Sequence, residues 1–124
     1  MYNSLIVSHF TKPKFTGEIE AAEVTLSVGN SVCGDKLEVQ IETKDNVFSN
    51  VAYQAWGCAT SVAAGDIFCD SIYGKKLEDI AKRDCCTISS MLGELEPSQC
   101  HCVDIMTELH KQLFDFIKKV KEHE

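Results

Sequence analysis

Two stretches of alternating polar and apolar residues, joined by a short polar turn, constrain the fold of this chain more than any other feature. Residues 36–42 alternate without interruption, which is the pattern of a β-strand that buries one face. Residues 47–56 form a second strand after the turn at residues 44–46. The start of one strand in a hairpin lies beside the end of its partner, so we expect residues 33–35 and Cys58 at the same end of the sheet.

The rest of the pattern adds one strand and several helices. Residues 23–29 alternate like the hairpin strands, whereas the apolar residues after Cys58 recur at the three- and four-residue steps of a helix. Gly74 is placed to end that helix, because glycine favours the position after a helical C-terminus. The predicted elements are a short helix within residues 1–10, strands at 23–29, 36–42 and 47–56, and helices from Ala59 to about Gly74, from Leu77 to about Leu92 with a break near Asp84, and from about His101 to Lys121.

Charge and composition narrow the classes of function. The net charge of −7 argues against a nucleic acid as the main partner, because phosphate binding requires a basic surface. The length of 124 residues fits one domain, so we expect a single domain over residues 1–124. We find no apolar run near the roughly 18–20 residues of a membrane helix and no targeting segment, so we expect the protein in the cytoplasm. Seven cysteines in a reducing compartment indicate metal binding, redox chemistry or catalysis rather than a disulfide framework.

Three short motifs carry the side chains that could bind a metal or an iron–sulfur cluster. Cys33 and Asp35 flank a glycine, Cys58 precedes a predicted helix, and His101 and Cys102 open another. Thiolates are favoured at helix N-termini, and thiolates with one imidazole suit iron–sulfur clusters, zinc or copper(I). The carboxylate of Asp35 is a harder and weaker ligand, which predicts a less inert site than four thiolates. The motifs contain no Cys-x-x-Cys pair, so the spacing is not that of a zinc finger.

The other cysteines receive different interpretations. Cys69 lies within an apolar helical stripe, which favours buried packing. Packing is also favoured for Cys85 and Cys86, with a redox or auxiliary thiol role as the alternative. Cys100 forms a Cys-x-Cys pair with Cys102, and it is open whether Cys100 is an additional ligand or an alternative reactive thiol.

The three motifs, in this order and with the histidine directly before Cys102, resemble the iron–sulfur cluster assembly scaffold of the IscU type, also found as the N-terminal part of NifU. The resemblance runs through nearly the whole chain. It implies a compact α+β fold, in which helices including a long C-terminal one pack on one face of a three-stranded antiparallel sheet. It also implies that the site lies at one tip, with Cys33, Cys58 and Cys102 as cluster thiols and Asp35 and His101 as the other ligands.

The resemblance further implies a sequence of events at that site. A cysteine desulfurase would pass persulfide sulfur to the chain, with Cys102 as the principal acceptor. Iron would enter the same site and an electron donor such as a ferredoxin would reduce the sulfur. The resulting [2Fe–2S] cluster would then be transferred to apo iron–sulfur acceptor proteins. Asp35 would keep the cluster transferable, and zinc would occupy the apo site.

Departures from the family pattern leave alternatives open. The stretch that matches the family's chaperone-binding loop keeps Leu95 and Pro97 but has Gln99 in place of a lysine, so recognition by a DnaK-class chaperone is open. A zinc-dependent sulfurtransferase of the SufU type shares the fold, but typically lacks the histidine found here as His101 and carries an insertion that residues 59–100 leave no room for. A simple zinc-binding thiol protein is a third alternative. The sequence leaves both a monomer and a homodimer open.

Overall fold

The computed structural model describes residues 4–20, 22–30, 35–57, 59–91, 93 and 101–122. The elements within these ranges match the predicted strands and helices to within about two residues at most ends. They are α1 (Ser4–Thr11), β1 (Val24–Asn30), β2 (Asp35–Lys44), β3 (Val47–Trp56), α2 (Ala59–Ile72), α3 (Leu77–Ala81), α4 (Cys85–Ser90) and α5 (His101–Glu122).

The three strands form one antiparallel sheet in the order β1-β2-β3, which confirms the predicted sheet. The hairpin turn consists of Asp45 and Asn46, both with positive φ, at 55° and 63°. This left-handed pair is the geometry of a two-residue hairpin turn that follows the natural twist of the strands, and aspartate and asparagine tolerate it better than most residues. The turn and a register shift between Glu42 and Thr43, where β3 carries one extra residue, together place Lys36 opposite Trp56 at the far end of the hairpin.

Helices α2 and α5 cover one face of the sheet, as predicted. The inward side chains Leu37, Val39 and Ile41 of β2 are buried in one cluster with apolar side chains of α2 and α5. Gly65 of α2 lies so close to the sheet that a β-carbon there would be 2.7 Å from Leu37 Cδ1 and 2.7 Å from Tyr53 Cδ2. Glycine at position 65 therefore lets α2 approach the sheet more closely than any larger residue would allow.

The predicted break near Asp84 is also present. The Asp84 side chain accepts a hydrogen bond from the backbone N–H of Thr87 at 2.8 Å and so caps the N-terminus of α4. This bond lowers the pKa of the Asp84 carboxyl group, because it favours the charged form. A capping aspartate ends one helical segment and begins the next, which explains why one continuous apolar pattern forms two short helices.

Both edges of the sheet are hydrogen-bonded by other parts of the chain. At the β3 edge the backbone N–H of Tyr53 donates to the carbonyl of Phe15 at 2.9 Å, and the N–H of Gly17 donates to the carbonyl of Tyr53 at 3.0 Å. At the β1 edge the side-chain amide of Gln112 accepts from the N–H of Ser27 at 3.0 Å and donates to its carbonyl at 2.8 Å. These bonds satisfy backbone groups that an exposed edge strand would leave unpaired.

We refer to residues 4–17, which comprise α1 and the segment that follows it, as the N-terminal strap. The strap packs against α2 and runs along β3. Of the helices that the structure describes, none is long and apolar enough to cross a membrane.

Candidate functional site

The register of the sheet places Asp35 and the residues that precede Cys58 at the same end. Asp35 is the first residue of β2 and pairs with Asn30, the last residue of β1. The neighbouring Lys36 pairs with Trp56, the last residue of β3. Cys58 follows two residues later and α2 begins immediately after it, at Ala59. Asp35 and Trp56, the described residues next to these two motifs, therefore lie at the same end of the sheet.

The direction of α5 brings the third motif toward the same end. Gln112 bonds to Ser27, whereas Lys119, further along α5, lines a groove beside Val24. Helix α5 thus runs antiparallel to β1, and its N-terminal half extends toward the Asn30 end of that strand. Over the eleven residues from Gln112 back to His101 an α-helix rises about 16 Å, which exceeds the roughly 10 Å that β1 still extends beyond Ser27.

The side chains of the predicted ligands themselves lie outside the described part of the structure. Their convergence on one metal or cluster stays a prediction that rests on the backbone of their neighbours. Within the described ranges, no group of three or more histidine, cysteine, aspartate or glutamate side chains is arranged to hold a metal ion. The predicted ligands are Cys33, Asp35, Cys58, His101 and Cys102, with Cys100 as the additional candidate, and the side chains of Cys85 and Cys86 also fall outside the description.

An aromatic and a cationic side chain mark the sheet end beside the motifs. Trp56 is 47% exposed, and Lys36 Nζ lies 5.3 Å from the centroid of its ring. Lys36 also forms a surface ion pair with Glu38 at 3.1 Å. Because Trp56 is the chain's only tryptophan and lies two residues before Cys58, its fluorescence is a local reporter for events at the predicted site. The sequence analysis did not single out this pair.

Cys69 is confirmed as a packing residue. It is fully buried in the core cluster. Burial raises the pKa of its thiol well above the ordinary value, and the charges of Asp66 and Asp70 add to the effect. The thiol therefore stays protonated at neutral pH, which is the wrong form for a metal ligand or a nucleophile.

A buried carboxylate that was not predicted from the sequence lies under the N-terminal strap. Asp66 is fully buried in α2, and its Oδ2 lies 2.6 Å from His9 Nδ1. Its Oδ1 accepts the backbone N–H groups of Lys14 at 2.8 Å and Phe15 at 3.0 Å. A signal for it exists in the sequence, because Asp66 interrupts an otherwise apolar run in the α2 pattern. Such an interruption indicates a buried polar group that needs partners.

A second buried polar network joins three helical regions and was also missed. Arg83, between α3 and α4, donates to the side chain and carbonyl of Ser71 in α2. Its Nη1 also lies 2.9 Å from Nε2 of the fully buried His110 in α5, whose Nδ1 lies 2.8 Å from the carbonyl of Met106. Since a guanidinium only donates and a carbonyl only accepts, His110 must be neutral, with its proton on Nδ1.

The surroundings of His110 keep it in that state. The pKa of His110 is lowered to about 4, mainly by burial; the bond to the Met106 carbonyl opposes this shift and the positive charge of Arg83 adds to it. Burial also lowers the pKa of Arg83, which remains charged at neutral pH. The pair is thus a structural link between α2, α5 and the segment before α4, and not an acid–base couple for neutral pH.

Comparison with known proteins gives consistent results over the whole chain. The sequence profile of the NifU-like N terminal domain matches residues 1–123. The iron-sulfur cluster assembly scaffold protein IscU 1 of Archaeoglobus fulgidus is 31% identical over 120 residues, which cover 96% of this chain and 78% of the relative. The iron-sulfur cluster assembly scaffold protein IscU of Aquifex aeolicus is 26% identical over 121 residues, or 95% of this chain and 77% of the relative.

Solved structures agree on the fold. The crystal structure of the N-terminal part of a nitrogen-fixing NifU-like protein from Brucella abortus superposes with a TM-score of 0.63 over 97% of this chain and 94% of that one, at 14% identity. At this identity the likeness speaks for the fold alone. The sequence profile and the 31% identity to the Archaeoglobus IscU scaffold protein lead to one conclusion: this chain belongs to the family of NifU-like N-terminal domains.

Proposed function

We propose that this protein is a scaffold on which a [2Fe–2S] cluster is assembled and from which the cluster is transferred to acceptor proteins. The observation that carries the proposal is the register of the sheet, which makes the segments bearing Asp35 and Cys58 neighbours at one end. Relatives that carry the scaffold name over most of this chain's length support it. A cytoplasmic location, a cysteine desulfurase, a ferredoxin-like electron donor and apo acceptor proteins belong to the same proposal.

The proposed chemistry begins with sulfur transfer. The thiolate of Cys102 attacks the terminal sulfur of the desulfurase persulfide, so that a new S–S bond forms on Cys102 and the donor's cysteine leaves as a thiolate. Each persulfide sulfur then takes up two electrons, one from a ferrous ion that becomes ferric and one from the external donor, which leaves a thiolate and one sulfide ion. Two sulfides and two ferric ions would form the cluster between the protein's ligands. A thiolate at the start of α5 suits the attack, because a helix N-terminus stabilises negative charge.

The donor set explains why such a cluster would leave again. Three thiolates and an imidazole bind iron–sulfur clusters or zinc well, whereas the carboxylate of Asp35 is a weaker ligand for the same ions. The weak ligand would lower the free-energy barrier for transfer of the cluster to an acceptor that offers four strong ligands. The same thiolates and imidazole would hold Zn²⁺ in the protein without a cluster.

Anaerobic reconstitution tests the proposal. We expect that incubation with ferrous iron, cysteine and a cysteine desulfurase produces the visible absorption spectrum of a [2Fe–2S] cluster, together with quenching of Trp56 fluorescence. A colourless protein that keeps zinc and accelerates sulfur transfer would instead support a sulfurtransferase of the SufU type. Retention of zinc without any sulfur acceptance would identify a zinc-binding thiol protein. Either of these results contradicts the scaffold function.

A pair of serine variants tests the role of Cys102. Cys102→Ser is expected to abolish most persulfide formation on the chain, because serine cannot form a persulfide, whereas the matched Cys100→Ser variant keeps it. The measurement is mass spectrometry of the intact, alkylated chain after one turnover of the desulfurase. A reversed order of the two variants would assign the principal sulfur acceptor to Cys100.

A further inference from the structure

The N-terminal strap packs on α2 through α1, where Ile6 is fully buried, and is hydrogen-bonded to α2 through one buried carboxylate. Asp66 has no exposed surface, and it accepts three hydrogen bonds from the strap: one from the His9 ring and two from the backbone N–H groups of Lys14 and Phe15. A buried carboxylate is tolerated only where hydrogen bonds replace its lost hydration. Because the three bonds share one acceptor, a substitution of Asp66 weakens the attachment of the strap at His9 and at Lys14 and Phe15 together.

The same strap is bonded to the sheet through β3. Phe15 accepts the backbone N–H of Tyr53, and Gly17 donates to the Tyr53 carbonyl. Residues 14–17 therefore lie between α2 and β3, with hydrogen bonds to both. These bonds add to the direct packing of Gly65 on Tyr53 in holding α2 against β3.

The two elements that the strap joins are those on either side of Cys58. Strand β3 ends at Trp56, and α2 begins at Ala59. Asp66 lies two helical turns into α2, about 10 Å along a rigid rod from its first residue. Any change in the angle or spacing of β3 and α2 must alter the geometry of the short connection that carries Cys58.

We propose that docking of the N-terminal strap and occupation of the predicted cysteine site are coupled, with Asp66 as the positioning residue that acts through α2. The proposal rests on the proposed function for the location of the site. A docked strap holds β3 and α2 in the arrangement that suits a bound Zn²⁺ ion or cluster, and a bound ion in turn holds the strap down. Thermodynamic linkage requires both effects to have the same size.

The peptide bond after Lys14 provides a direct measure of strap docking. Trypsin cleaves after lysine but not before proline, so Lys14 is a cleavage site and Lys12 is not. The Lys14–Phe15 bond is held by Asp66 on one side and by Tyr53 on the other. A protease binds the peptide around the cleaved bond in an extended conformation, which requires the strap to undock. The rate of cleavage after Lys14 therefore follows the population of the undocked strap.

The experiment compares tryptic cleavage at Lys14 in the metal-free protein and in the protein loaded with one Zn²⁺, followed by mass spectrometry. We expect Zn²⁺ to slow this cleavage roughly tenfold, within the range of ordinary coupling energies, while cleavage at the exposed lysines near the end of α5 changes much less. Asp66→Asn should speed cleavage in the metal-free protein. It should also weaken Zn²⁺ binding, measured by competition with a chelating dye, by a similar factor.

Asp70→Asn is the matched control, since it removes the same charge one helical turn later from an exposed position without a hydrogen bond to the strap. Asp70→Asn should change neither the rate of tryptic cleavage after Lys14 nor the affinity for Zn²⁺. His9→Ala removes one of the three bonds and should give an intermediate effect, which keeps the test available if Asp66→Asn does not fold. Circular dichroism checks folding in each case.

The outcomes separate this inference from the proposed function. Zn²⁺ that binds tightly but leaves the Lys14 cleavage rate unchanged overturns the coupling and leaves the scaffold function standing. An equal loss of Zn²⁺ affinity in Asp66→Asn and Asp70→Asn also overturns it, because the effect would then be one of charge alone. A protein that neither binds Zn²⁺ nor assembles a cluster overturns both proposals together.

Discussion

Replacing Gly65 with alanine is expected to lower the free energy of unfolding by about 1–3 kcal/mol, as overpacking of a buried contact does. The added β-carbon would lie 2.7 Å from Leu37 Cδ1 and 2.7 Å from Tyr53 Cδ2. Both neighbours are buried, so neither side chain can move out into solvent. The better helix propensity of alanine offsets the loss by up to about 1 kcal/mol. Urea denaturation followed by circular dichroism measures the change.

The partner side chain supplies the control for this prediction. Leu37→Ala removes the Cδ1 atom that the new methyl group would meet, so Gly65→Ala should cost less in that background. The expected coupling between the two substitutions is about 0.5–3 kcal/mol. Unchanged stability of the single Gly65→Ala variant would contradict the close approach of α2 to the sheet.

Acidification is expected to destabilise the protein through His110. The pKa of this residue is about 4 in the folded protein and about 6.5 in the unfolded chain, so the unfolded chain binds the extra proton first as the pH falls. The contribution of neutral His110 to the free energy of unfolding is fully present above about pH 6.5, and it is lost progressively as the pH falls to about 4. Each pKa unit corresponds to about 1.4 kcal/mol, so the loss amounts to about 3 kcal/mol.

His110→Gln isolates this contribution from the carboxylates that titrate in the same range. A glutamine can still offer an oxygen to Arg83, but it does not titrate. The pH dependence of the free energy of unfolding should therefore be shallower in His110→Gln than in the parent protein between pH 6.5 and 4. Nuclear magnetic resonance titration of the His110 ring gives the folded pKa directly, and a value at or above 6.5 would refute the prediction.

The strands were predictable because their signal is local. Alternation over residues 36–42 and the polar turn at Asp45 and Asn46 specify a hairpin without reference to any distant residue. The Asp84 break was predictable for the same reason, since a capping aspartate acts on the N–H of Thr87, only three residues away. The hairpin also determined which end of the sheet carries the motifs.

The buried polar groups were not predictable, because their partners are far away in sequence. Asp66 bonds to His9 across 57 residues, and Arg83 bonds to His110 across 27. An aspartate or a histidine within an apolar stripe indicates that the residue needs a buried hydrogen-bond partner, but the sequence does not indicate which residue that partner is. The ligand set of Cys33, Asp35, Cys58, His101 and Cys102 stays a prediction, since it depends on side-chain positions and not on the backbone pattern.

The hydrogen bonds along the sheet edges restrict how other proteins can approach. Strand addition, in which a partner's extended segment joins a sheet, requires a run of unpaired backbone groups. The N-terminal strap occupies such groups on β3, and Gln112 occupies them at the centre of β1. We therefore expect a partner, including the proposed desulfurase and acceptor proteins, to recognise this chain mainly through side chains and not by extending the sheet.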